Sequence, residues 1–310
     1  MTTITATMVK ELRDRTGAGM MDCKTALAES AGGIEAAIDW LRKKGLSKAA
    51  TKAGRVAAEG LIGVKTAAKS GALVEVNSET DFVARNEKFQ DLVRGVASLA
   101  LKAKGDTAKL LAMTYPKTEL TVEAHIKEMV ATIGENMSLR RTAAVSVKTG
   151  VIGEYVHNKA AGADDLGKIG VLVAVESKGD KDKLAEIGRQ VAMHVAARNP
   201  VSLDLASAPA DLIEREKAIL FDKNKGKPQH VLDKIAESAL KTYAKDNCLL
   251  DQAFVLDDSK TVAQALDAHA KDLGEPINVT GFIRYALGEG IEKKEGDFAA
   301  EVAAMAEGKK

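Results

Sequence analysis

Thr80-Asp81-Phe82-Val83 sets an acid beside an aromatic where a strand-like pattern gives way to a helical one. In a chain with six phenylalanines, this pairing is a candidate for an exposed aromatic tip. The competing reading packs Phe82 under its own helix and leaves Asp81 as a simple N-cap. Met20-Met21 poses a similar choice. Neighbours on a helix diverge by about 100°, so both cannot face one small core, and a methionine left outside suits a partner surface. The plainer reading has one inside and one at a frayed end. Gly162-Ala163-Asp164-Asp165-Leu166-Gly167-Lys168-Ile169 comes close to a phosphate-binding loop but fails where the chemistry matters. Ile169 stands where a hydroxyl would hold Mg2+, two aspartates would repel phosphate, and a strand pattern follows where a helix N-terminus is required. It reads as a turn between strands. Gly17-Ala18-Gly19 lacks the third glycine of a dinucleotide fingerprint and reads as a helix break. His125, His157, His194, His230 and His269 show no metal spacing, and no nucleophile-elbow sequence occurs. The expectation is therefore no catalytic residue, no metal, no cofactor, and a protein that is not an enzyme.

Charge and composition narrow the partners. The 310 residues carry 45 basic and 44 acidic side chains, a net charge of +1. A nucleic-acid binder usually holds a basic surplus, because phosphate neutralisation supplies most of its affinity, so direct nucleic-acid binding is not expected. Cys23 and Cys248 stand far apart and form no paired pattern, which fits free thiols in a reducing compartment. The longest apolar run, residues 170–175, falls far short of the roughly 20 that a spanning helix needs. The first ten residues show no basic region followed by an apolar stretch. No membrane association and a cytoplasmic location are expected.

The elements that must position these residues follow from periodicity. Residues 5–45 read as three short helices. Thr5 caps the first, residues 21–28 form the second, and Ile34, Ile38 and Leu41 mark the third, with Gly45 ending it. The lysine-rich stretch 43–55 reads as a solvated linker. Residues 61–64 and 72–76 look like strands around a turn at Lys69-Ser70-Gly71. Thr80 or Asp81 can then cap a helix over 83–104, and a second helix covers 122–133. The pattern recurs. Gly60-Leu61-Ile62-Gly63 returns as Gly150-Val151-Ile152-Gly153, and Ala72-Leu73-Val74-Glu75-Val76 as Val171-Leu172-Val173-Ala174-Val175, each followed by a helix, the second over 181–197. Residues 209–247 are helical again, split at Lys225-Gly226-Lys227-Pro228 into a projecting antiparallel helical hairpin. Strand character returns at Ile277, Val279 and Ile283, and a helix from Asp297 places Phe298, Val302 and Met305 on one side. The expected fold is α+β, with a three-helix bundle, a core of two related antiparallel hairpin-plus-helix halves, and the helical hairpin. The expected units are 1–55 (bundle and linker), 56–148 (first core half), 149–199 with 248–290 (second half), 200–247 (helical hairpin) and 291–310 (C-terminal helical module).

These residues carry a family resemblance. Thr80-Asp81-Phe82-Val83-Ala84-Arg85-Asn86 resembles the signature of translation elongation factor Ts proteins. Residues 9–27, Ile133-Gly134-Glu135-Asn136-Met137, His194-Val195-Ala196-Ala197, Phe282-Ile283-Arg284 and Gly288-Glu289-Gly290-Ile291-Glu292-Lys293 are similar to further motifs of that family, in order along the chain. Thr25 departs from a common lysine, and Ala253 from a proline often found beside Phe254. The resemblance implies that the N-terminal bundle is ubiquitin-associated-like. It also implies a guanine-nucleotide exchange factor that binds the GDP form of elongation factor Tu, a Mg2+-dependent GTPase, and speeds GDP release. Asp81 and Phe82, with Thr80 and Val83 beside them, would be the wedge that disturbs the partner's Mg2+ and phosphate site. Ile133 and Gly134 would approach the phosphate-binding side. Lys10, Arg13, Met20 and Met21, together with Phe298 and Val302, would touch the nucleotide domain, and His157 another domain of the partner. Two other readings stand beside this one: a non-exchanging helical adaptor using the N-terminal bundle, and an RNA-associated factor using residues 43–55. The sequence leaves a homodimer through the helical hairpin open.

Overall fold

A computed structural model describes residues 3–292. The chain begins with three helices. α1 (Ala6–Thr16) starts where the Thr5 hydroxyl accepts the Met8 N–H, and it stops at Gly17. α2 (Met20–Glu29) and α3 (Ile34–Lys52) complete a bundle around Leu12, Cys23, Ala26, Leu27 and Ala37, all buried.

A mixed α and β core follows. β1 (Glu59–Ala67) and β2 (Ser70–Ser78) form an antiparallel hairpin. One helical turn, α4 (Asp81–Ala84), leads into α5 (Glu87–Ala103), then α6 (Thr107–Ala112), α7 (Val122–Ile133) and β3 (Met137–Ser146), which pairs with β2. The plan then repeats. β4 (Gly150–Lys159) and β5 (Leu166–Glu176) form a hairpin, and α8 (Lys181–Arg198) covers it. Between α8 and the next part of the core stand α9 (Ala210–Lys223) and α10 (Gln229–Asn247). A small ribbon, β6 (Ala253–Phe254) with β7 (Asp257–Thr261), precedes α11 (Val262–Leu273), and β8 (Asn278–Ala286) pairs with β5.

The two halves match in detail. Gly60 and Gly150 open the two hairpins at φ 124° and 128°. A Cβ there would fall 2.1 Å from the Val76 carbonyl oxygen and 2.0 Å from that of Val175, so only glycine fits. The third strand joins each hairpin with a register slip at the same place, between Glu75 and Val76 in one half and between Ala174 and Val175 in the other. α7 and α11 both start at a threonine cap, Thr121 and Thr261, and both end at a left-handed glycine, Gly134 and Gly274. The three-stranded sheets β3-β2-β1 and β4-β5-β8 join where Ile62 and Gly63 pair with Gly167 and Leu166. One face of the first half packs Leu61, Val74 and Val76 against Phe89, Leu92 and Val96 of α5. In the second half Val171, Val173 and Val175 meet Leu184, Val191 and Val195 of α8. The opposite faces share an apolar layer of Val64, Leu73, Ile152, Val156 and Leu172. Each such side chain contributes roughly 1.5–3 kcal/mol by leaving water.

The helical hairpin is joined to the core at its root. Residues 201–203 run beside 247–250, with Val201 N–H donating to Asn247 O at 2.8 Å and Leu249 N–H to Ser202 O at 2.9 Å. Among the described residues, Ala244 is the buried one in α10, and none is buried in α9. No helix among the described residues is long and apolar enough to cross a membrane.

Two expectations need correction. Gly45 does not end the third helix, and residues 43–52 are not a linker: α3 continues to Lys52. A glycine inside a helix costs about 1 kcal/mol, but here it permits a close crossing, since a Cβ on Gly45 would lie 2.9 Å from the Ala131 side chain of α7. The helix expected over 83–104 is two helices. The chain breaks at Arg85-Asn86, and Asn86, not Thr80 or Asp81, caps the long one by accepting the Lys88 N–H at 2.9 Å. Phe298 and Val302 lie outside the described residues.

Candidate functional site

Phe82 is 74% exposed, more than any other large apolar side chain among the described residues. The reason is local. α4 is a single turn, and Val83 and Ala84 fill its inner side against the first-half core. Phe82, about 100° around the helix from Val83, is left outside. Arg85 closes the tip: its guanidinium bonds Asp81 at 3.1 Å and lies 5.9 Å from the Phe82 ring centre. Aromatic, anion and cation therefore share one projection.

The tip is fastened from beneath. Glu135 directly follows Gly134 at the end of α7, and its carboxylate accepts the Thr80 N–H at 3.0 Å and the Thr80 hydroxyl at 2.6 Å. The reciprocal bond runs from Asn136 N–H to the Glu79 carboxylate at 2.5 Å. The Ser78 hydroxyl donates to Thr80 O at 3.0 Å. The end of α3 reaches the same point, where Lys52 donates to Gly134 O, Arg55 pairs with Glu79 at 3.4 Å, and the Asn136 amide donates to Arg55 O at 2.8 Å.

The other candidate residues belong to the N-terminal bundle or the first core half, with two exceptions. Met20 and Met21 are both exposed, 55% and 73%, on the first turn of α2. The loop that leads to them passes the same helix ends, since Gly17 lies against the Lys88 ammonium at the start of α5 and the Thr132 side chain near the end of α7. Lys10 and Arg13 are exposed on α1. Ile133 packs against the first-half core, and Gly134 supplies the left-handed cap of α7. Val83 is buried, so it anchors the turn while Phe82 projects. His157 is the first exception. It is exposed in the second half on β4, with its Nδ1 3.0 Å from the Tyr155 hydroxyl. The C-terminal pair Phe298 and Val302 is the second, as stated above. Glu79, Glu135, Arg55 and Arg85 join the site without having been given a role in it from the sequence. An acid directly after a helix-ending glycine, facing a polar strand-to-helix junction, is the signal that marks Glu135.

Two buried polar centres brace the halves. Glu75 is fully buried and accepts bonds from Arg140 at 3.0 Å, Arg141 at 2.5 Å, Asn77 at 3.2 Å and the Gly288 N–H at 2.9 Å. Burial alone would raise its pKa, but the Gly288 N–H and the two guanidinium groups outweigh that and hold it below the ordinary carboxylate value. His194, also fully buried, is pushed below the usual histidine value by burial. Its Nε2 donates to Gln252 at 2.9 Å and its Nδ1 accepts the Val255 N–H at 3.2 Å, which fixes the neutral tautomer. The near-phosphate-loop segment is a turn from β4 into β5. Among the described residues, no three His, Cys, Asp or Glu side chains converge to hold a metal ion.

A family model described as Elongation factor TS matches residues 79–289, from the clamp residue Glu79 to just past Gly288, whose N–H bonds Glu75. The chain belongs to the elongation factor Ts family. Proteins named Elongation factor Ts are similar to it over their whole length. That of Methylobacterium nodulans is 60% identical over 309 residues, covering 99% of this chain and all of the relative. That of a Bradyrhizobium species is 59% identical over 312 residues with both chains fully covered. That of Xanthobacter autotrophicus is 58% identical over 306 residues, covering 99% of each chain. As an elongation factor Ts family member, the protein has a role in translation elongation.

Proposed function

We propose that this protein binds the GDP form of elongation factor Tu and accelerates GDP release by disturbing that partner's Mg2+ and phosphate site. It acts in the cytoplasm, needs no cofactor, and is not an enzyme. It contacts neither membrane nor nucleic acid directly. The observation that carries the reading is Phe82, solvent-exposed on a one-turn projection whose base is clamped by Glu135. An apolar side chain costs free energy when left in water, and a rigid support lets its insertion displace the partner rather than itself.

The mechanism is one of linkage. A Mg2+ site demands strict ligand geometry, so a wedge that shifts the elements bearing those ligands weakens the metal and then GDP. The factor must hold the emptied partner more tightly than the loaded one, or it shifts nothing. Reciprocity then requires bound nucleotide to weaken the factor's grip by the same ratio. No bond is made or broken, which suits a site with an ion pair and an aromatic but no nucleophile. In this scheme Phe82 inserts, Asp81 and Arg85 set its charge, and Thr80 and Val83 hold the turn. Ile133 and Gly134 face the phosphate side. Lys10, Arg13, Met20 and Met21 on the ubiquitin-associated-like bundle meet the nucleotide domain, as do Phe298 and Val302, and His157 meets a second domain. Ile219 and Phe221, exposed on α9, fit a homodimer through the helical hairpin.

Stopped-flow release of a fluorescent GDP from elongation factor Tu tests this. The Asp81→Ala, Phe82→Ala double variant should lose at least roughly tenfold in rate, about 1.4 kcal/mol of transition-state stabilisation, while remaining folded. Undiminished release by the double variant would overturn the wedge. Binding without any acceleration by the unaltered protein would leave it an adaptor.

A further inference from the structure

We infer that Glu135 is a positioning residue for exchange: its carboxylate fixes the angle at which the Phe82 tip meets the partner. The inference rests on the exchange reading above and adds a residue to it. Thr80 is the N-cap position of α4, yet its side chain makes no capping bond to its own helix. Both its N–H and its hydroxyl turn to Glu135 instead. A one-turn helix cannot sustain itself, because forming the first turn orders several residues for a single hydrogen bond. The orientation of α4 must therefore come from outside, from Val83 in the core and from Glu135 at the base. Two bonds from one carboxylate to adjacent groups of one residue fix direction as well as distance.

The second half of the molecule shows what the junction looks like without a tip. There Ser177, just past the end of β5, stands where Ser78 does at the end of β2. Between Ser177 and the cap Asp180 of α8 lie only Lys178 and Gly179. Between Ser78 and the cap Asn86 of α5 lie residues 79–85, which include the tip. Gly274 ends α11 as Gly134 ends α7, and each is followed by a glutamate, Glu275 and Glu135. Glu275 only borders Gly179, its Cβ 3.8 Å from where a Cβ on that glycine would stand. The same scaffold position thus lies beside a bare turn in one half and grips a projecting aromatic in the other. Through Lys52, Arg55 and Asn136 the gripping segment is also tied to the end of α3, so one node sets the tip and the N-terminal bundle relative to each other.

A residue that only stabilises the fold would act whether or not Phe82 is present. A residue that works through Phe82 has nothing left to do once the ring is gone. The test is a double-mutant cycle on GDP release from elongation factor Tu loaded with fluorescent GDP, read as maximal rate and as half-saturating factor concentration separately. Glu135→Ala should lower the maximal rate roughly tenfold, the worth of one charge-assisted hydrogen bond, with Glu135→Gln retaining part of it. In the Phe82→Ala background, Glu135→Ala should change the rate less than about twofold. Thr80→Val removes the hydroxyl bond alone and should follow the same pattern if Glu135→Ala folds poorly. Full maximal rate for both Glu135→Ala and Thr80→Val would overturn the inference, as would full additivity with Phe82→Ala. If Phe82→Ala itself releases GDP at the unaltered rate, the wedge assignment fails, and if the unaltered protein does not accelerate release at all, the exchange reading fails; each outcome is distinct from a failure of Glu135 alone.

Discussion

Glu75→Gln removes the buried negative charge that faces Arg140 and Arg141, leaving Arg141 only the partly exposed Glu289 carboxylate at 3.5 Å, and leaves the shape of the side chain nearly unchanged. Taking one partner from a buried ion pair costs about 3–5 kcal/mol, because the remaining charge stays desolvated. Both arginines keep some contact with water, 28% and 30% of the side chain, so the lower end applies, about 3 kcal/mol or over a hundredfold in the folding equilibrium. The Gly288 N–H bond, which ties the segment after β8 to β2, survives as a bond to the amide oxygen. Urea unfolding followed by far-ultraviolet circular dichroism at neutral pH reads the loss, with Glu123→Gln as control. The Glu123–Lys127 pair is largely exposed and is worth under about 1 kcal/mol. The pH dependence adds a second check. The Glu75 carboxyl titrates below the ordinary 4.5, so the folded state binds its proton less readily than the unfolded one. Its contribution is complete above 4.5 and is lost as pH falls through the folded value, so variant and parent should converge in acid. A loss of less than about 1 kcal/mol at neutral pH, no larger than an exposed pair gives, would refute the reasoning.

Two further outcomes follow from the geometry. Gly45→Val should push α3 off α7, since even a Cβ meets the Ala131 side chain at 2.9 Å. About 2 kcal/mol of destabilisation is expected, with faster limited proteolysis between the bundle and the sheet. His194→Gln should flatten the acid side of the stability profile. In the parent, burial lowers the histidine pKa below 6.5, so the unfolded chain takes up a proton that the folded chain refuses and stability falls as pH drops below 6.5. Melting temperatures at pH 7.5 and 5.5 measure this, and an unchanged slope in the variant would show that His194 is not its source.

Much of the scaffold was legible in residue types alone. The duplicated hairpins stood out because Gly60-Leu61-Ile62-Gly63 and its repeat need glycine at the same strained position. α7 was plain from its apolar period and its Thr121 and Gly134 ends. β3 and α11 went unread. In β3, Arg140-Arg141-Thr142 puts charge where a buried strand shows apolar runs, and only Glu75, distant in sequence, makes that charge tolerable. Gly45 misled because glycine is the usual sign of a helix end, while here tertiary contact with Ala131 overrides local preference. Phe82 was visible as a candidate, but its exposure depends on Val83 filling the inside of a single turn. Glu135 could not be paired with Thr80 in advance, since nothing local links residues so far apart.

The root of the helical hairpin has a consequence for how this chain can change. Residues 201–203 and 247–250 are laced together by main-chain bonds before the helices depart, so the two ends of the excursion already lie at bridging distance. Everything beyond that stitch is an appendage whose length the sheet does not register. The arm can be lengthened, shortened or cut away between generations while the twin halves beneath it keep their register.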